Sequence, residues 1–127
     1  MLPIKLANEF AKIVGGKVIA NSKSTEVTVE RELNATILGR SYDTEHEIAI
    51  GSLDRHGRAL ETGEFTVLQT EVNRFISALR RQGLRVTAVH NHWLFEKPRL
   101  MYVHTEAVER PLVFARKVAR AFTVLNK

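Results

Sequence analysis

The distribution of apolar residues predicts an α+β fold, a mainly antiparallel sheet with helices packed on one face and a βαβ-β-α arrangement in the C-terminal half. Three observations carry this expectation. Short segments such as Val27-Thr28-Val29 and His46-Glu47-Ile48-Ala49-Ile50 alternate between residue classes with a period of two, as a half-buried strand requires. Other segments space their apolar residues at helical intervals, most clearly Val72, Phe75, Ile76 and Leu79. Clusters of Gly, Asn, Asp, Ser and Pro punctuate the chain between them.

The elements follow in order. Leu6, Phe10, Ile13 and Val14 share one side of a helix over Pro3–Val14, which Gly15-Gly16 stops. Lys17–Ala20 and Glu26–Arg31 read as strands around the polar turn Asn21-Ser22-Lys23-Ser24. Leu33–Gly39 reads as a strand or an irregular connection, and Arg40–Thr44 as a polar link into the strand that carries His46, Ile48 and Ile50. Asp54-Arg55-His56-Gly57 is a turn with His56 exposed, and Glu64–Leu68 is a further strand. The central helix spans Thr70–Gln82, with Thr70 as N-cap and Gly83 as C-cap. Leu84–Trp93 and Arg99–Glu106 form a hairpin across Glu96-Lys97-Pro98. Pro111 opens the last helix, which runs to Asn126 with Val113, Phe114, Val118, Ala121, Phe122 and Leu125 on its inner stripe. The order is α-ββ-ββ-α-ββ-α. Glu64–Trp93 forms a βαβ unit with an expected right-handed crossover.

Composition narrows the function. A chain of 127 residues, 44% hydrophobic and 26% charged, is one domain (1–127) of ordinary globular character. It has no cysteine, so thiolate metal sites and disulfides are excluded. No apolar run approaches the ~18 residues that span a bilayer, and Met1–Gly16 lacks a signal-peptide core. The expectation is a cytoplasmic protein with no membrane partner. The formal charge is +5, but the basic residues are dispersed and no aromatic-basic platform accompanies them. Sequence-specific nucleic-acid binding is therefore not expected.

The chemistry concentrates at Val89-His90-Asn91-His92-Trp93 and His104. These fifteen residues from His90 to His104 hold three of the five histidines. Alternate strand positions share a face, so His90 and His92 look the same way. With the turn centred on Lys97, His104 pairs opposite His90 and Tyr102 opposite His92. One face then carries His90, His92, Tyr102 and His104, with Val86, Ala88 and Leu100 as apolar walls. The other face carries Val89, Trp93, Met101 and Val103, ready for burial under helices. Three neutral imidazoles without thiolates suit zinc, nickel, copper or iron, with zinc favoured and His90, His92 and His104 as ligands. Because the ligands must be deprotonated, occupancy should fall as the pH drops. Glu71, just beyond the carboxyl end of the Glu64–Leu68 strand, is the carboxylate expected to act there as ligand, orienter or general base. Its other reading is an acid stabilised by the start of the central helix. Asn73, Asn91 and Tyr102 are candidate ligand contacts.

Residues 63–122 resemble the LppY/LpqO family, a bacterial domain family of unknown function. The resemblance rests on Gly63-Glu64-Phe65-Thr66-Val67-Leu68 leading into Thr70-Glu71-Val72-Asn73, then Val89-His90-Asn91-His92 and Leu100-Met101-Tyr102-Val103-His104. It implies that Glu71 and the three histidines act together, and it names no reaction. Many relatives carry two copies where this chain has one, which leaves room for a homodimer standing in for the tandem form. Two functional classes remain open on these residues. One is a small-ligand or divalent-metal-binding domain, extending to a metal-dependent enzyme. The other is a metal-free binding or regulatory module on the same histidine face. A nucleic-acid-associated basic protein is a third and weaker reading.

Overall fold

Residues 1–126 are described by the computed structural model of the chain. Helix α1 (Ile4–Val14) precedes strands β1 (Lys17–Asn21) and β2 (Thr25–Glu30). Two short strands follow, β3 (Thr36–Ile37) and β4 (Arg40–Ser41), and then the long β5 (Glu45–Gly51) and β6 (Ala59–Leu68). A 3-10 turn at Gln69–Glu71 opens α2 (Val72–Arg81), followed by β7 (Arg85–His90), β8 (Glu96–Lys97), β9 (Leu100–Glu109) and α3 (Pro111–Phe122). The α+β class stands, with three helices and nine strands among the described residues.

Six strands form one antiparallel sheet in the order β1-β2-β5-β6-β9-β7. Strands β6 and β7 both pair antiparallel with β9, so they run parallel to each other with β9 between them. The βαβ unit of β6, α2 and β7 is thus split by the last strand. The small sheet β4-β3-β8 lies apart from the large one. It was not expected, because each of its strands contributes only two residues and two residues show no periodicity.

Alternation decides which side of the large sheet is buried. Val27, Ile48, Ile50, Phe65, Val67 and Val103 point to the helices and join Phe10, Phe75 and Phe114 in one core. Phe65 stands edge-on to Phe75 with ring centroids 5.3 Å apart, and Phe10 stacks on Phe114 at 6.3 Å. Gly15 ends α1 in the left-handed region, φ 79°, a conformation glycine adopts without a Cβ penalty. The opposite face of the sheet stays open except near Leu68 and Leu100. There Ala35, Leu100 and Tyr102 make a second, small cluster with Leu33, Tyr42 and Leu68.

Six expectations about elements change. Strand β7 ends at His90 rather than Trp93, and Trp93 is half exposed rather than buried under helices. The segment after it does not turn tightly: residues 91–95 loop outward and Glu96-Lys97 pairs with β3 as β8. The extra length moves the register by two, so His90 opposes Tyr102 and His104 opposes Ala88. A shift of two keeps every residue on its predicted face. Val86 is the exception. Thr87 is an extra residue, a β-bulge that turns Val86 to the helix side opposite Thr105. Finally, α3 ends at Phe122, four residues short of Asn126.

Candidate metal centre

The open face brings three histidines and one glutamate together. Glu64 and His104 are direct cross-strand neighbours on β6 and β9, and His90 lies one strand further on at the end of β7. His92 follows two residues later in the loop and folds back over Tyr102, ring on ring at 3.6 Å between centroids and 8° between planes. Glu64 Oε2 lies 3.1 Å from His104 Nε2 and 3.7 Å from His92 Nε2. His90 Nε2 and His104 Nε2 are 2.8 Å apart. One ligand atom each from Glu64, His90 and His92 all lie within 4.8 Å of one another, a group that could hold a metal ion.

Distances allow a check against coordination chemistry. Ligands about 2.0–2.2 Å from a tetrahedral zinc stand roughly 3.3–3.6 Å from each other. The observed separations of 2.8, 3.1 and 3.7 Å bracket that value. The His90 tautomer fits as well. His90 Nδ1 faces the Asn91 carbonyl at 3.2 Å, and a carbonyl oxygen only accepts, so Nδ1 carries the proton. That leaves Nε2 with its lone pair toward the cluster, the tautomer of a metal-ligating histidine held by a backbone carbonyl. His104 Nε2–H then donates to it, so His104 can join a metal through Nε2 only once that proton has left.

A groove of about 380 Å³ runs from His104 across the open face, past Thr62 and Glu64, to Glu47, Thr28 and Ile19. Glu47 is the cross-strand neighbour of Glu64 on the other side. Its carboxyl is pushed up, by partial desolvation first and then by Glu64, Glu45 and Glu26. Beneath the His92 ring, Tyr102 is buried, and burial raises its phenol above the ordinary value. Tyr42 donates to Glu96 Oε2 at 2.9 Å, and Glu96 also accepts from the Leu100 amide at 3.1 Å. The aromatic floor of the site is therefore anchored to the small sheet.

Glu71 is not among these residues. It lies on the helix side, fully buried, where Arg31 donates to both its oxygens at 2.6 and 2.5 Å. The amides of Leu68 and Asn126 donate to it as well, each at 2.8 Å. Burial alone would raise its carboxyl, but the Arg31 contacts and the two amides prevail and hold it at about 2. The carboxylate beside the histidines is Glu64 instead. Its signal in the sequence was the alternation Glu64-Phe65-Thr66-Val67, with Phe65 and Val67 inward. What the sequence lacked was the pairing of β6 with β9. Asn73 is exposed on α2, on the helix side and away from the histidines. Asn91 and Tyr102 border the site. His46 faces the helices, where it stacks on Phe122 at 4.5 Å and accepts the Thr66 amide at Nδ1. Desolvation first, and then Arg31, lower it to about 3, so it is neutral. His56 is exposed in its turn.

A family model, DUF1529, described as Domain of Unknown Function (DUF1259), matches residues 8–124, and the chain belongs to that family. No curated protein and no solved structure matches the chain.

Proposed function

We propose that this member of the DUF1529 family binds a divalent metal, zinc by preference, on the open face of its sheet. His90, His92 and His104 supply the imidazoles and Glu64 the carboxylate. The observation that carries this reading is the convergence of Glu64, His90 and His92 donor atoms within 4.8 Å, beside an open groove. Nitrogen and carboxylate donors without thiolates suit zinc, nickel, copper and iron better than magnesium or calcium. Affinity order cannot choose among those four, and zinc is favoured because three imidazoles and one oxygen match its ordinary ligand sets. The groove leaves one side of the ion open to a small ligand. Bound there, the metal would polarise that ligand or bring its own water to a pKa near 7. Asn91 and Tyr102 border the ligand, whereas Glu71 and Asn73 take no part. The same reading includes no sequence-specific nucleic-acid partner, since the basic residues are scattered, and a homodimer as the assembly.

Metal analysis of untagged protein equilibrated with zinc tests the proposal. One ion per chain is expected, lost in His90→Ala and His92→Ala and weakened at least about tenfold in Glu64→Gln. Wild-type protein without stoichiometric metal, or full uptake by all three variants, would overturn it. A metal-free binding module has one observation in its favour: His90 and His104 already satisfy each other by a direct hydrogen bond. That reading replaces the first if wild-type protein takes up none of the four metals.

A further inference from the structure

Two loop tips beside the histidine site display bulky apolar side chains to solvent. Leu94 and Phe95 occupy the turn before β8 and are 74% and 68% exposed, and Trp93 next to them is 49% exposed. Leu38, 76% exposed, occupies the tip of the β3–β4 hairpin, and its amide reaches toward the Phe95 carbonyl at 3.5 Å. The tips therefore adjoin, and together they form a protruding apolar knuckle rather than a groove. Scattered single exposed leucines need no explanation, but four large residues in one place do.

The knuckle is built, not loose. Arg99 donates from Nη1 to the Trp93 carbonyl at 2.6 Å and from Nη2 to the Leu94 carbonyl at 3.0 Å. Leu38 is costly twice over. It has φ 51°, followed by Gly39 at 78°, the left-handed pair of a two-residue hairpin turn. Asn, Asp or Gly fills its place with less strain and better solvation. Charge completes the pattern. Within 36–41 and 91–99 the exposed ions are Arg40 and Lys97, while the one carboxylate, Glu96, is 4% exposed and hydrogen-bonded.

We propose that this knuckle docks the protein on an anionic lipid surface, with Trp93, Leu94, Phe95 and Leu38 in the interface and Arg40 and Lys97 on the headgroups. A convex tip with aromatic residues and flanking cations suits a bilayer interface, which takes up a protrusion without needing a matching pocket. The expectation of no membrane partner rested on the lack of a spanning segment. None of the described helices is long and apolar enough to cross a membrane, and docking at the surface requires no crossing. The inference does not depend on a bound metal.

Trp93 is the chain's one tryptophan and reports directly on the knuckle. Phosphatidylcholine vesicles containing phosphatidylglycerol should shift its emission to the blue and sediment the protein. Both effects should weaken with salt, since the anionic attraction is screened. Leu94→Ser combined with Phe95→Ser should bind at least about tenfold more weakly. Leu38→Asn guards against a folding artefact, because it should weaken docking while leaving the turn as stable or more so. No emission shift and no sedimentation with anionic vesicles would overturn the proposal. So would binding unchanged in the double variant, or a shift that follows protein concentration without lipid, the sign of a second copy as the true occupant.

Discussion

Glu64 lies midway along β6 and Glu71 just beyond its carboxyl end, yet one stands open among histidines and the other is held by Arg31 under the helices. The difference lies in neighbours that come from far along the chain. Arg31 is 40 residues from Glu71, and no local pattern announces such a pair. The histidines were legible because His90 and His92 alternate and because His104 lies on the adjoining strand. Their carboxylate was not, since that needed the pairing of β6 with β9. Glu71→Gln should therefore leave metal uptake intact and cost about 3–5 kcal/mol of stability, the usual effect of stranding one partner of a buried pair. Urea denaturation beside metal analysis separates the two effects, and a variant with lost metal but normal stability would return Glu71 to the site.

Three buried groups at the same scale set a pH profile. His46 and Glu71 have values depressed to about 3 and about 2 from 6.5 and 4.5. The stability each confers is present above its ordinary value and is lost as the pH falls toward its folded one. Glu61 is the reverse. It is fully buried under the helices with one oxygen lacking a partner, and desolvation first, with Glu109 beside it, raises it to about 8 from 4.5. Its contribution is complete below 4.5 and fades as the pH rises through 8. Between 4.5 and 6.5 the slopes of His46 and Glu61 oppose each other, so stability should peak there and decline on both sides. Glu61→Gln should remove the alkaline decline and keep the acid one. Urea midpoints from pH 4 to pH 9 that fall equally in both proteins at the alkaline end would contradict this.

At the scale of elements, strand identity was readable and strand register was not. Alternation placed β2, β5, β6, β7 and β9, and helical spacing placed α1, α2 and α3. The β3-β4-β8 sheet was invisible, because pairs of residues carry no period. The course of the chain between β7 and β9 is not legible, because an outward loop and a tight turn share Pro98 and its polar neighbours. The bulge at Thr87 shows the cost of counting by twos: regular alternation puts Val86 with His90, whereas the extra residue sends it to the core. Both edge strands of the large sheet carry such irregularities, β1 between Val18 and Ala20 and β7 at Thr87. Irregular edges resist pairing with a second sheet edge. Deleting Thr87 should therefore leave Val86 inward and His90 outward, since the residues on either side already face as a regular strand would have them. The variant should fold and keep its metal but associate more readily through the straightened edge. Static light scattering would register that association. Loss of metal uptake would mean instead that the bulge positions His90.

Across the whole molecule the large sheet divides labour between its faces. The helix side holds the phenylalanine core and the two fully buried glutamates Glu61 and Glu71, while the buried Glu96 belongs to the small sheet. The open side holds Glu64, the histidines and the groove. Antiparallel sheets permit this because only one face needs a hydrophobic partner. Which residues share a face was legible from alternation, while the strand order that gathers them was not, because antiparallel segments can pair in several orders with the same pattern. The division has a consequence for substitution. His90→Ala with His92→Ala removes two solvent-side rings that pack chiefly on Tyr102, His104 and each other. Stability without metal should stay within about 1 kcal/mol of the parent, near the ordinary range for surface changes, while zinc uptake disappears. Phe65→Ala, directly behind on β6, should lose about 3–5 kcal/mol through the cavity it opens, and its folded fraction should still bind zinc. Denaturation with and without zinc gives both answers at once, because an ion that binds only the folded chain raises the midpoint in proportion to its affinity. Zinc should shift the parent and Phe65→Ala alike and leave the double histidine variant unmoved. An equal shift in all three would place the ion elsewhere and break the link between this face and metal binding.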